Sequence, residues 1–458
     1  RLSPMFHLVR TRKFSVAERG LESWRNCYVV DLDLNCDYTL SLVAEIIRSR
    51  PWCSTASTSS DKAFRFQIKD FEHIAWEDVM RGSCGASSYL VRKGLARKAQ
   101  LSLQVRRYCS KHPESILKTA VPYTLILETW NAFEEMKLDF GRGTFASFED
   151  PGITQAPLRQ RLDWCLSDAR AAFDAEEHLD RMWILKPSAT NKGASIAVVL
   201  DWEGVLEALE EADHVREWVL QRYIERPLLY GGHKFHLRVY VLCVGGLRVF
   251  VFDQILMLLA AHRYVAHDVV DIYAHLTNTA RAAEDVNFDE RKFVRLLDDL
   301  VPQLCKRRDC PTLAAAEQAV AGMRQSIHRI TADLFAAYEN EYSIFTPMSS
   351  CFELYGLDFM VDQSLQVHLL EANPGPDFKQ TGDRLSALIG QLWEQSCSIV
   401  LDSGLMHPQS RYADGSLSHA QTDAALAAEW AAGAPDFTLA YSKEWSCAKQ
   451  KGGMTFIE

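Results

Sequence analysis

The stretch YGLDFMVDQSLQVHLLEAN, residues 355–373, places two apolar segments on either side of a short polar turn. Segments of this length and composition, joined by a few polar residues, predict a β-hairpin. With the turn centred between Ser364 and Leu365, Asp358 lies directly opposite Glu371 and shares a face of the sheet with it. The hairpin is therefore predicted to bring two carboxylates together within otherwise apolar strands.

Directly opposed carboxylates repel each other, and apolar surroundings make the pair unfavourable unless a cation lies between them. Asn373 lies two residues beyond Glu371 on the same face and offers a further oxygen. Oxygen ligands alone favour Mg²⁺ bound to the phosphates of a nucleotide over zinc. We interpret Asp358, Glu371 and Asn373 as a Mg²⁺ site. The alternative is a carboxylate pair held by neighbouring lysine or arginine side chains.

The segment KFHLRVYVL, residues 234–242, predicts a strand with one cationic face. Side chains alternate between the two faces of a strand, so Lys234, His236 and Arg238 share one face while the apolar residues between them share the other. An exposed amphipathic strand is the alternative interpretation.

The stretch WILKPSATNKGASI, residues 183–196, places Lys186 at the end of a predicted strand and Lys192 in a loop of small polar residues. Hydroxyl, amide and ammonium donors in such a loop are suited to covering phosphates. The spacing matches neither the P-loop nor the G-x-G-x-x-G pattern of dinucleotide-binding proteins. Taken alone, the loop has a plain turn as its alternative interpretation.

The rest of the chain mixes predicted strands with predicted helices, and Gly245-Gly246 indicates a hairpin turn. A last edge strand could lie at 452–458. This mixture predicts α+β layers built on antiparallel hairpins rather than a doubly wound parallel sheet. The other strands are predicted at 27–35, 194–200, 218–224 and 247–252, and the helices at 158–182, 203–211, 314–340 and 384–400.

The composition predicts a soluble protein, with 48% hydrophobic and 24% charged residues and no apolar run near the roughly 18 residues of a membrane span. Twelve scattered cysteines without a C-x-x-C pair indicate reduced thiols and a cytoplasmic location. Because the chain begins at Arg1, a leader or an upstream domain could precede it.

The net charge of −10 argues against general binding of nucleic acid by the whole chain. Residues 82–113, however, contain seven lysines and arginines and no acidic residue. This basic stretch predicts contact with an acidic partner or a phosphate, with a solvated helix face as the alternative.

In order and content these motifs resemble the tubulin tyrosine ligase-like family of ATP-grasp ligases, from about residue 85 to about residue 400. The resemblance implies an α+β ATP-grasp fold in which two α/β subdomains close on ATP after a small α/β domain. The implied boundaries are 1–95, 96–222, 223–402 and a tail, 403–458. The motifs are WILKPSATNKGASI (183–196), LQRYIERPLLYGGHKFHLRVYVL (220–242), AHLTNTA (274–280), YGLDFMVD (355–362) and LLEANPGP (369–376).

The resemblance also implies a role for each matching residue. Mg²⁺ would be held by Asp358, Glu371 and Asn373, and adenine by Gln221 with the backbone of 223–224. The residues implied to bind the nucleotide or to act in catalysis are Lys98, Lys186, Lys192, Gln221, Tyr223, Ile224, Lys234, His236, Arg238, Asp358 and Glu371, with Lys234, Arg238 and Glu371 as the catalytic residues.

The chain departs from the family pattern at two positions. His236 stands where tubulin tyrosine ligase has an aspartate, and Leu258 aligns with an arginine of the following strand. Losing that arginine removes a fixed positive charge near the reacting carboxylate. The extension GPDFKQTG, residues 375–382, is more similar to the fungal branch, which is associated with mRNA-decapping processing bodies.

We therefore expect an ATP- and Mg²⁺-dependent ligase that adds a free amino acid to the acidic C-terminal tail of tubulin through an acyl-phosphate. Tyrosine is the expected amino acid, and glutamate is a variant. The alternative is a ligase-like, nucleotide-binding scaffold that meets a decapping-complex protein in the cytoplasm. Neither a membrane nor direct nucleic-acid binding is expected.

Overall fold

A computed structural model describes residues 28–54, 64–133, 157–175, 182–189, 195–277, 290–376, 378, 383–407 and 418–442. These residues form three β-sheets with helices packed against them. None of their helices is long and apolar enough to span a bilayer. In chain order the strands are β1 (Tyr28–Asp33), β2 (Cys53–Ser54), β3 (Phe64–Lys69), β4 (Cys84–Ala86), β5 (Thr124–Glu128), β6 (Trp183–Pro187), β7 (Ala197–Val199), β8 (Glu217–Arg222), β9 (Leu229–Tyr230), β10 (His233–Val244), β11 (Arg248–Phe252), β12 (Leu256–Arg263), β13 (Val294–Leu296), β14 (Phe352–Val361), β15 (Val367–Pro374) and β16 (Phe437–Ser442).

Helices cover the faces of these sheets, and short 3-10 turns and one π-helical turn, Ser398–Asp402, connect them. The segment predicted as one helix from 158 to 182 is two shorter helices in the described residues. The α-helices are α1 (Asp37–Arg48), α2 (Trp76–Met80), α3 (Lys93–Ala96), α4 (Lys98–Lys111), α5 (Leu117–Ala120), α6 (Leu158–Cys165), α7 (Ser167–Ala175), α8 (Trp202–Glu211), α9 (Ile272–His275), α10 (Glu290–Phe293), α11 (Val301–Leu304), α12 (Leu313–Ala336), α13 (Asp383–Cys397) and α14 (His419–Gly433).

The first sheet has the order β2-β1-β3-β4, and its strand pairs are parallel. Antiparallel hairpins were predicted for the chain as a whole, and a small α/β domain was predicted for residues 1–95. The parallel strands of this sheet, with α1 and α2 between them in the chain, form an α/β unit. The second sheet, β5-β8-β6-β7, is antiparallel and buries Trp183, Trp202 and Trp218 against α6, α7 and α8.

The third sheet is built around β10, a strand of 12 residues. One edge of β10 pairs with β12 and then β11, and the other edge pairs with β9 and then β14, always antiparallel. Alternate residues of β10 enter two different apolar cores, which contain Phe235 and Leu237 on one face and Tyr240 and Leu242 on the other. The predicted alternation is confirmed, but both faces are buried, so the exposed amphipathic strand is wrong.

The β14–β15 hairpin pairs Asp358 with Glu371, as predicted, but by a different route. Near the turn the register joins Val361 to Val367, which would place Asp358 opposite Leu370 and turn Glu371 into the apolar core. A bulge after this segment leaves Leu370 as an extra residue and restores the Asp358–Glu371 pair. Since a slip of one residue moves every later side chain to the opposite face, the bulge turns Glu371 towards the polar side.

The segment predicted as a linker and tail, 403–458, contains ordered elements of the third sheet. Helix α14 contributes Leu426 and Trp430 to a core, and β16 pairs with β11 at the sheet edge. The strand predicted at 452–458 lies outside the described residues.

Ion pairs with a buried partner connect the first sheet and the segments next to it to β14, α13 and the π-helical turn. Glu353 of β14 accepts hydrogen bonds from Ser88 Oγ (2.9 Å) and Tyr355 Oη (2.5 Å) and pairs with Arg92. Arg50, which is 4% exposed, binds Glu394 at 3.0 Å and Asp402 at 2.9 Å. Arg50 therefore joins the end of α1 to α13 and to the π-helical turn.

Replacing Arg50 with alanine should destabilise the protein by about 2 kcal/mol, because the change removes a buried guanidinium and its hydrogen bonds to Glu394 and Asp402, two carboxylates that keep partial access to water. Urea unfolding followed by tryptophan fluorescence would measure this loss. Arg65 of β3 is the matched control, because it is 60% exposed and lies 3.9 Å from Asp31. For Arg65→Ala we expect a change within about 0.5 kcal/mol; equal losses for the two variants would contradict the assignment.

Candidate functional site

Polar side chains from three separate parts of the chain meet on one face of the third sheet. The central strands supply Lys234, Arg238, Asp358 and Glu371, while β6 and the start of α4 supply a lysine each. We call the following six residues the charged cluster: Lys98, Lys186, Lys234, Arg238, Asp358 and Glu371. The structure thus brings together most of the residues that were predicted to form a site.

Arg238 and Asp358 are direct cross-strand partners in β10 and β14. The guanidinium binds both carboxylate oxygens, with Nε 2.5 Å from Oδ1 and Nη2 3.1 Å from Oδ2. A bidentate pair of this kind has a fixed geometry and compensates both buried charges.

Glu371 is held by a second cation, because Lys98 Nζ lies 3.1 Å from its Oε2. Burial alone would raise the pKa of Glu371, but Lys98 and Lys186 lower it well below its usual range, so this side chain is a carboxylate at neutral pH. Asn373 donates from Nδ2 to Asp358 Oδ2 (3.2 Å) and to Glu371 Oε1 (3.0 Å). The amide nitrogen of Asn373, and not the predicted oxygen, therefore faces the two carboxylates in this arrangement.

The alternative of a carboxylate pair held by lysine and arginine thus describes the arrangement of these side chains. In the described part of the chain, no group of three or more His, Cys, Asp and Glu side chains is already placed to hold a metal ion. The donors that suit Mg²⁺ are nevertheless adjacent, and Arg238 and Lys98 now lie against them.

Within the described residues, two lysines of the charged cluster are buried without hydrogen bonding to a carboxylate. Lys186 donates to Gln221 Oε1 at 2.9 Å, and burial lowers its pKa to about 8. Lys234, which is 3% exposed, donates to Tyr223 Oη (2.5 Å) and to the carbonyl of His275 (3.0 Å). Burial, and then the nearby Lys186, lower the pKa of Lys234 well below its usual value. Strongly perturbed lysines in one place are typical of functional sites.

Tyr223 and His275 fix the position of the Lys234 side chain. His275 Nε2 lies 3.0 Å from the carbonyl of Asp268, so it carries the proton, and Nδ1 accepts from Tyr223 Oη at 2.7 Å. The Tyr223 oxygen is thereby left to accept from Lys234. The motif AHLTNTA predicted no role for His275, and for Tyr223 only a role of its backbone was predicted.

The Gln221 side chain, which was predicted to bind adenine, is already hydrogen-bonded within the protein. Its side chain accepts from Lys186 and donates from Nε2 to Thr124 Oγ1 at 3.1 Å. The backbone N–H of Tyr223 donates to the carbonyl of Met182 at 3.0 Å. The adenine roles of Gln221, Tyr223 and Ile224 therefore stay predictions.

His236 lies between Lys234 and Arg238 on the same face and is 6% exposed. Its Nδ1 lies 2.6 Å from Thr277 Oγ1, and its Nε2 lies 3.7 Å from Asp358 Oδ1. Burial lowers the pKa of His236, so the ring is neutral at pH 7. Its direct partner in β12 is Leu258, so the two departures from the family pattern face each other across neighbouring strands.

Lys192 and the loop around it, residues 190–194, lie outside the described residues. Ser188, two residues before this loop, caps α4. Its carbonyl accepts from the N–H of Lys98 (3.1 Å), and its Oγ accepts from the N–H of Ala99 (3.1 Å). The end of β6 therefore positions the first turn of α4, and with it the lysine that holds Glu371.

A cavity of about 530 Å³ lies apart from the charged cluster and shares no residue with it. It borders the tip of the β14–β15 hairpin and α11, and its lining includes Arg226, Arg307 and Arg308. Arg307 is already bound to Asp309 at 2.7 Å. We assign no role to this cavity.

Comparison with solved structures defines the class of protein. The C-terminal domain of K. lactis Pby1, described as an ATP-grasp enzyme interacting with the mRNA decapping enzyme Dcp2, superposes with a TM-score of 0.55 and 28% sequence identity. The match covers 81% of this chain and 92% of that domain. The chain has an ATP-grasp fold, as predicted.

The family follows from sequence comparison, because residues 129–408 match the tubulin-tyrosine ligase family. This chain belongs to that family. It is 28% identical over 446 residues to the probable tubulin–tyrosine ligase PBY1 of Saccharomyces cerevisiae, covering 85% of this chain but 54% of that protein. A probable tubulin–tyrosine ligase of Schizosaccharomyces pombe is 30% identical over 370 residues, which is 73% of this chain and 82% of that protein. The predicted resemblance to the family and its fungal members is confirmed.

A more distant relative has a different name. A probable tubulin polyglutamylase of Caenorhabditis elegans is 27% identical over 215 residues, covering 43% of this chain and 46% of that protein. Relatives named for tyrosine and for glutamate therefore both match this chain.

Replacing Lys186 with methionine should stabilise the protein by up to about 3 kcal/mol at pH 7, because the change removes a buried cation whose pKa burial has lowered. The folded state releases the Lys186 proton near pH 8, whereas the unfolded chain keeps it to about pH 10.5. In this window the unfolded state binds more protons, so the natural protein gains stability as the pH rises. The advantage of Lys186→Met should therefore shrink between pH 8 and pH 10.5.

Urea unfolding at pH 7, 8.5 and 10 would measure this difference. Lys118→Met, at an exposed position of α5, is the control and should change stability by less than about 0.5 kcal/mol at each pH. Loss of stability in Lys186→Met at pH 7 would show that this lysine is not an unfavourable buried charge.

Proposed function

We propose that the charged cluster binds ATP with Mg²⁺ and that the protein is an ATP-dependent carboxylate–amine ligase. The observation that carries this proposal is the pair of buried lysines, Lys186 and Lys234, which make no hydrogen bond to a carboxylate of the described residues. A buried cation without an anion is unfavourable, and phosphate oxygens would compensate both lysines at once. The ATP-grasp fold of the chain is consistent with such a ligand.

An apolar group beside the lysines supplies a place for a flat ring. Met182, Ile184, Tyr223 and Leu276 form a small buried cluster, and Val198 of β7 and the preceding Ile196 pack against it. This cluster lies between the second and third sheets, next to Lys234 through Tyr223. We place adenine here, with the triphosphate directed towards the charged cluster.

The carboxylates suit Mg²⁺ once the nucleotide has arrived. Asp358 and Glu371, with the side-chain oxygen of Asn373 after rotation of its amide, would hold the ion. Bound Mg²⁺ supplies positive charge at the phosphate oxygens. Arg238 and Lys98, released from the carboxylates, would then bind phosphate, so that no charge of the cluster is left without a partner.

The proposed chemistry has two steps. A carboxylate oxygen of the acceptor attacks the γ-phosphorus and ADP leaves, which produces an acyl-phosphate. The amine of a free amino acid then attacks the acyl carbon, phosphate leaves, and the nitrogen loses a proton. Lys234 and Arg238 stabilise the negative charge that develops on the phosphoryl oxygens in a site from which water is excluded.

The acceptor that fits best is an acidic peptide such as the C-terminal tail of tubulin, in the cytoplasm. Relatives named for tubulin tyrosination and polyglutamylation support this choice. The basic stretch also supports it, because Lys93, Arg97 and Lys111 are exposed near α3 and α4. Arg92 and Lys98 of the same stretch are bound to internal carboxylates and are therefore not part of that surface.

A second candidate is a nucleotide-binding scaffold in a decapping assembly. K. lactis Pby1, whose C-terminal domain shares this fold, interacts with the decapping enzyme Dcp2. In this chain His236 and Leu258 depart together from the pattern of tubulin tyrosine ligase. As a scaffold the protein would bind ATP at the charged cluster without transferring an amino acid.

The affinity for Mg²⁺ and ATP should fall as the pH rises from 7.5 to 9.5. Free protein loses the Lys186 proton near pH 8, whereas phosphate oxygens keep the lysine charged in the complex, so binding takes up a proton. Protonation of this one lysine accounts for a decrease in affinity of up to about tenfold per pH unit above pH 8. Calorimetry in two buffers with different ionisation enthalpies would measure the proton uptake directly. Lys118→Met should behave like the natural protein, and an affinity independent of pH would contradict the role of Lys186.

The function itself is tested by binding and transfer in the same samples. Calorimetric titration with Mg²⁺ and ATP should show binding that Glu371→Gln weakens by about tenfold or more, because a first ligand of the ion is lost. Labelled tyrosine, and in parallel labelled glutamate, should then be incorporated into detyrosinated tubulin. Glu77→Gln, at a side chain that is 80% exposed, is the control for removing a carboxylate.

Three outcomes separate the candidates. Binding with incorporation would support the ligase, and binding without incorporation of either amino acid would favour the scaffold. Absence of nucleotide binding in the natural protein would rule out both proposals.

A further inference from the structure

His236 differs from the other histidines that lie near an aspartate in the described part of the chain. His73, His262, His328 and His368 approach their aspartates at 3.1, 2.8, 2.7 and 3.1 Å, which are hydrogen-bond distances. His236 Nε2 lies 3.7 Å from Asp358 Oδ1 and, among the described residues, has no hydrogen-bond partner. A buried polar nitrogen therefore points at a carboxylate without bonding to it, which is unfavourable as it stands.

The other ring nitrogen is firmly placed. Nδ1 lies 2.6 Å from the hydroxyl of Thr277, which can accept a hydrogen bond from it. With the proton on Nδ1, the lone pair of Nε2 faces the oxygen of Asp358. Ligating histidines commonly have this arrangement, in which a hydrogen bond on one nitrogen orients the ring and the other nitrogen binds the metal.

The gap between the two atoms is close to that of two ligands on one ion. In octahedral coordination, ligands at about 2.1 Å from the ion lie about 3 Å apart when they are neighbours and about 4.2 Å apart when they are opposite each other. His236 Nε2 and Asp358 Oδ1 are 3.7 Å apart, so a movement of less than about 1 Å brings them to the spacing of neighbouring ligands. Asp358 is prevented from approaching His236 because Arg238 binds both of its oxygens.

We propose that His236 Nε2 is a ligand of the divalent cation at this site, together with Asp358 and Glu371. The inference rests on the proposed nucleotide site and adds a nitrogen ligand to its oxygen ligands. Arg238 would exchange Asp358 for phosphate when the nucleotide binds, and the cation would occupy the space between Asp358 and His236. Leu258, directly opposite His236, leaves that side of the ring apolar and without a competing donor.

A nitrogen ligand changes which metal the site prefers. Mg²⁺ favours oxygen ligands and binds imidazole poorly, whereas first-row transition ions accept imidazole readily. The site should therefore bind Mn²⁺ more strongly relative to Mg²⁺ than a site with oxygen ligands alone. His236→Asp restores oxygen ligands at this position and should lower the Mn²⁺/Mg²⁺ affinity ratio by about tenfold.

Pulsed EPR of Mn²⁺ bound with a non-hydrolysable ATP analogue tests the ligand directly. An ¹⁴N coupling of the size expected for a metal-bound imidazole should appear in the natural protein and change to a ¹⁵N coupling when the histidines are labelled with ¹⁵N. His236→Gln should remove the coupling. His262→Gln, in the neighbouring strand β12, is the control and should leave it unchanged. Calorimetry on the same samples would show that Mn²⁺ and the analogue are bound.

The outcomes are distinct. Bound Mn²⁺ without an ¹⁴N coupling, or with a coupling that persists in His236→Gln, would overturn the role of His236 and leave the proposed nucleotide site intact. A Mn²⁺/Mg²⁺ ratio that is the same in His236→Asp and in the natural protein would likewise contradict the inference. If the natural protein binds neither the analogue nor ATP with either metal, the proposed function fails and this inference fails with it.

Discussion

The central constraint on this molecule is an excess of buried positive charge. The charged cluster contains four cationic side chains and two carboxylates, so two positive charges are left over when all six groups are ionised. Arg238 with Asp358 and Lys98 with Glu371 use both carboxylates, and Lys186 and Lys234 are left with neutral partners. In a low-dielectric interior these two lysines are stable as neutral amines or beside an anion that comes from outside. The lowered pKa values and the proposed binding of triphosphate are two results of this one excess.

Several backbone features, far apart in the chain, bring these side chains together. The regular alternation of β10 places Lys234, His236 and Arg238 on one face, and the bulge at Leu370 brings Glu371 to the same face. Ser188 links the end of β6 to the first turn of α4, which brings Lys98 within reach of Glu371. Because these contacts join both sheets and a helix, movement of the second sheet relative to the third would change the pairing within the cluster.

The sequence was sufficient to predict the chemical types that meet at the site, and insufficient to predict how they pair. Period-two alternation identified β10, whereas two apolar segments on either side of a polar turn identified β14 and β15. The Asp358–Glu371 pair was predicted with a turn register that is one residue off, and the bulge compensated for the error.

No local pattern indicates that Lys98, 273 residues before Glu371 in the chain, would hold that carboxylate, or that Tyr223 and His275 would hold Lys234. Such contacts form only when segments far apart in the chain fold against each other, and the local periodicity of a single sequence carries no information about that packing. The role of β16 was missed for the same reason.

The register of β10 and β12 changes the meaning of the two departures from the family pattern. Taken from the sequence one at a time, Leu258 in place of an arginine removes a positive charge and favours an inactive protein. In the structure, position 258 lies directly opposite position 236. A chain with aspartate at 236 and arginine at 258 would carry two opposite charges on this pair of positions, with a sum of zero. His236, whose pKa burial lowers, and Leu258 also sum to zero at neutral pH. The exchange therefore leaves the net charge of this pair of positions unchanged, and under the inference above it changes the ligands that the pair offers to the cation. An aspartate oxygen is replaced by an imidazole nitrogen, and the group that would have competed for that aspartate is removed. On these grounds the two substitutions argue for a site with a different metal preference more than for one that has lost nucleotide chemistry.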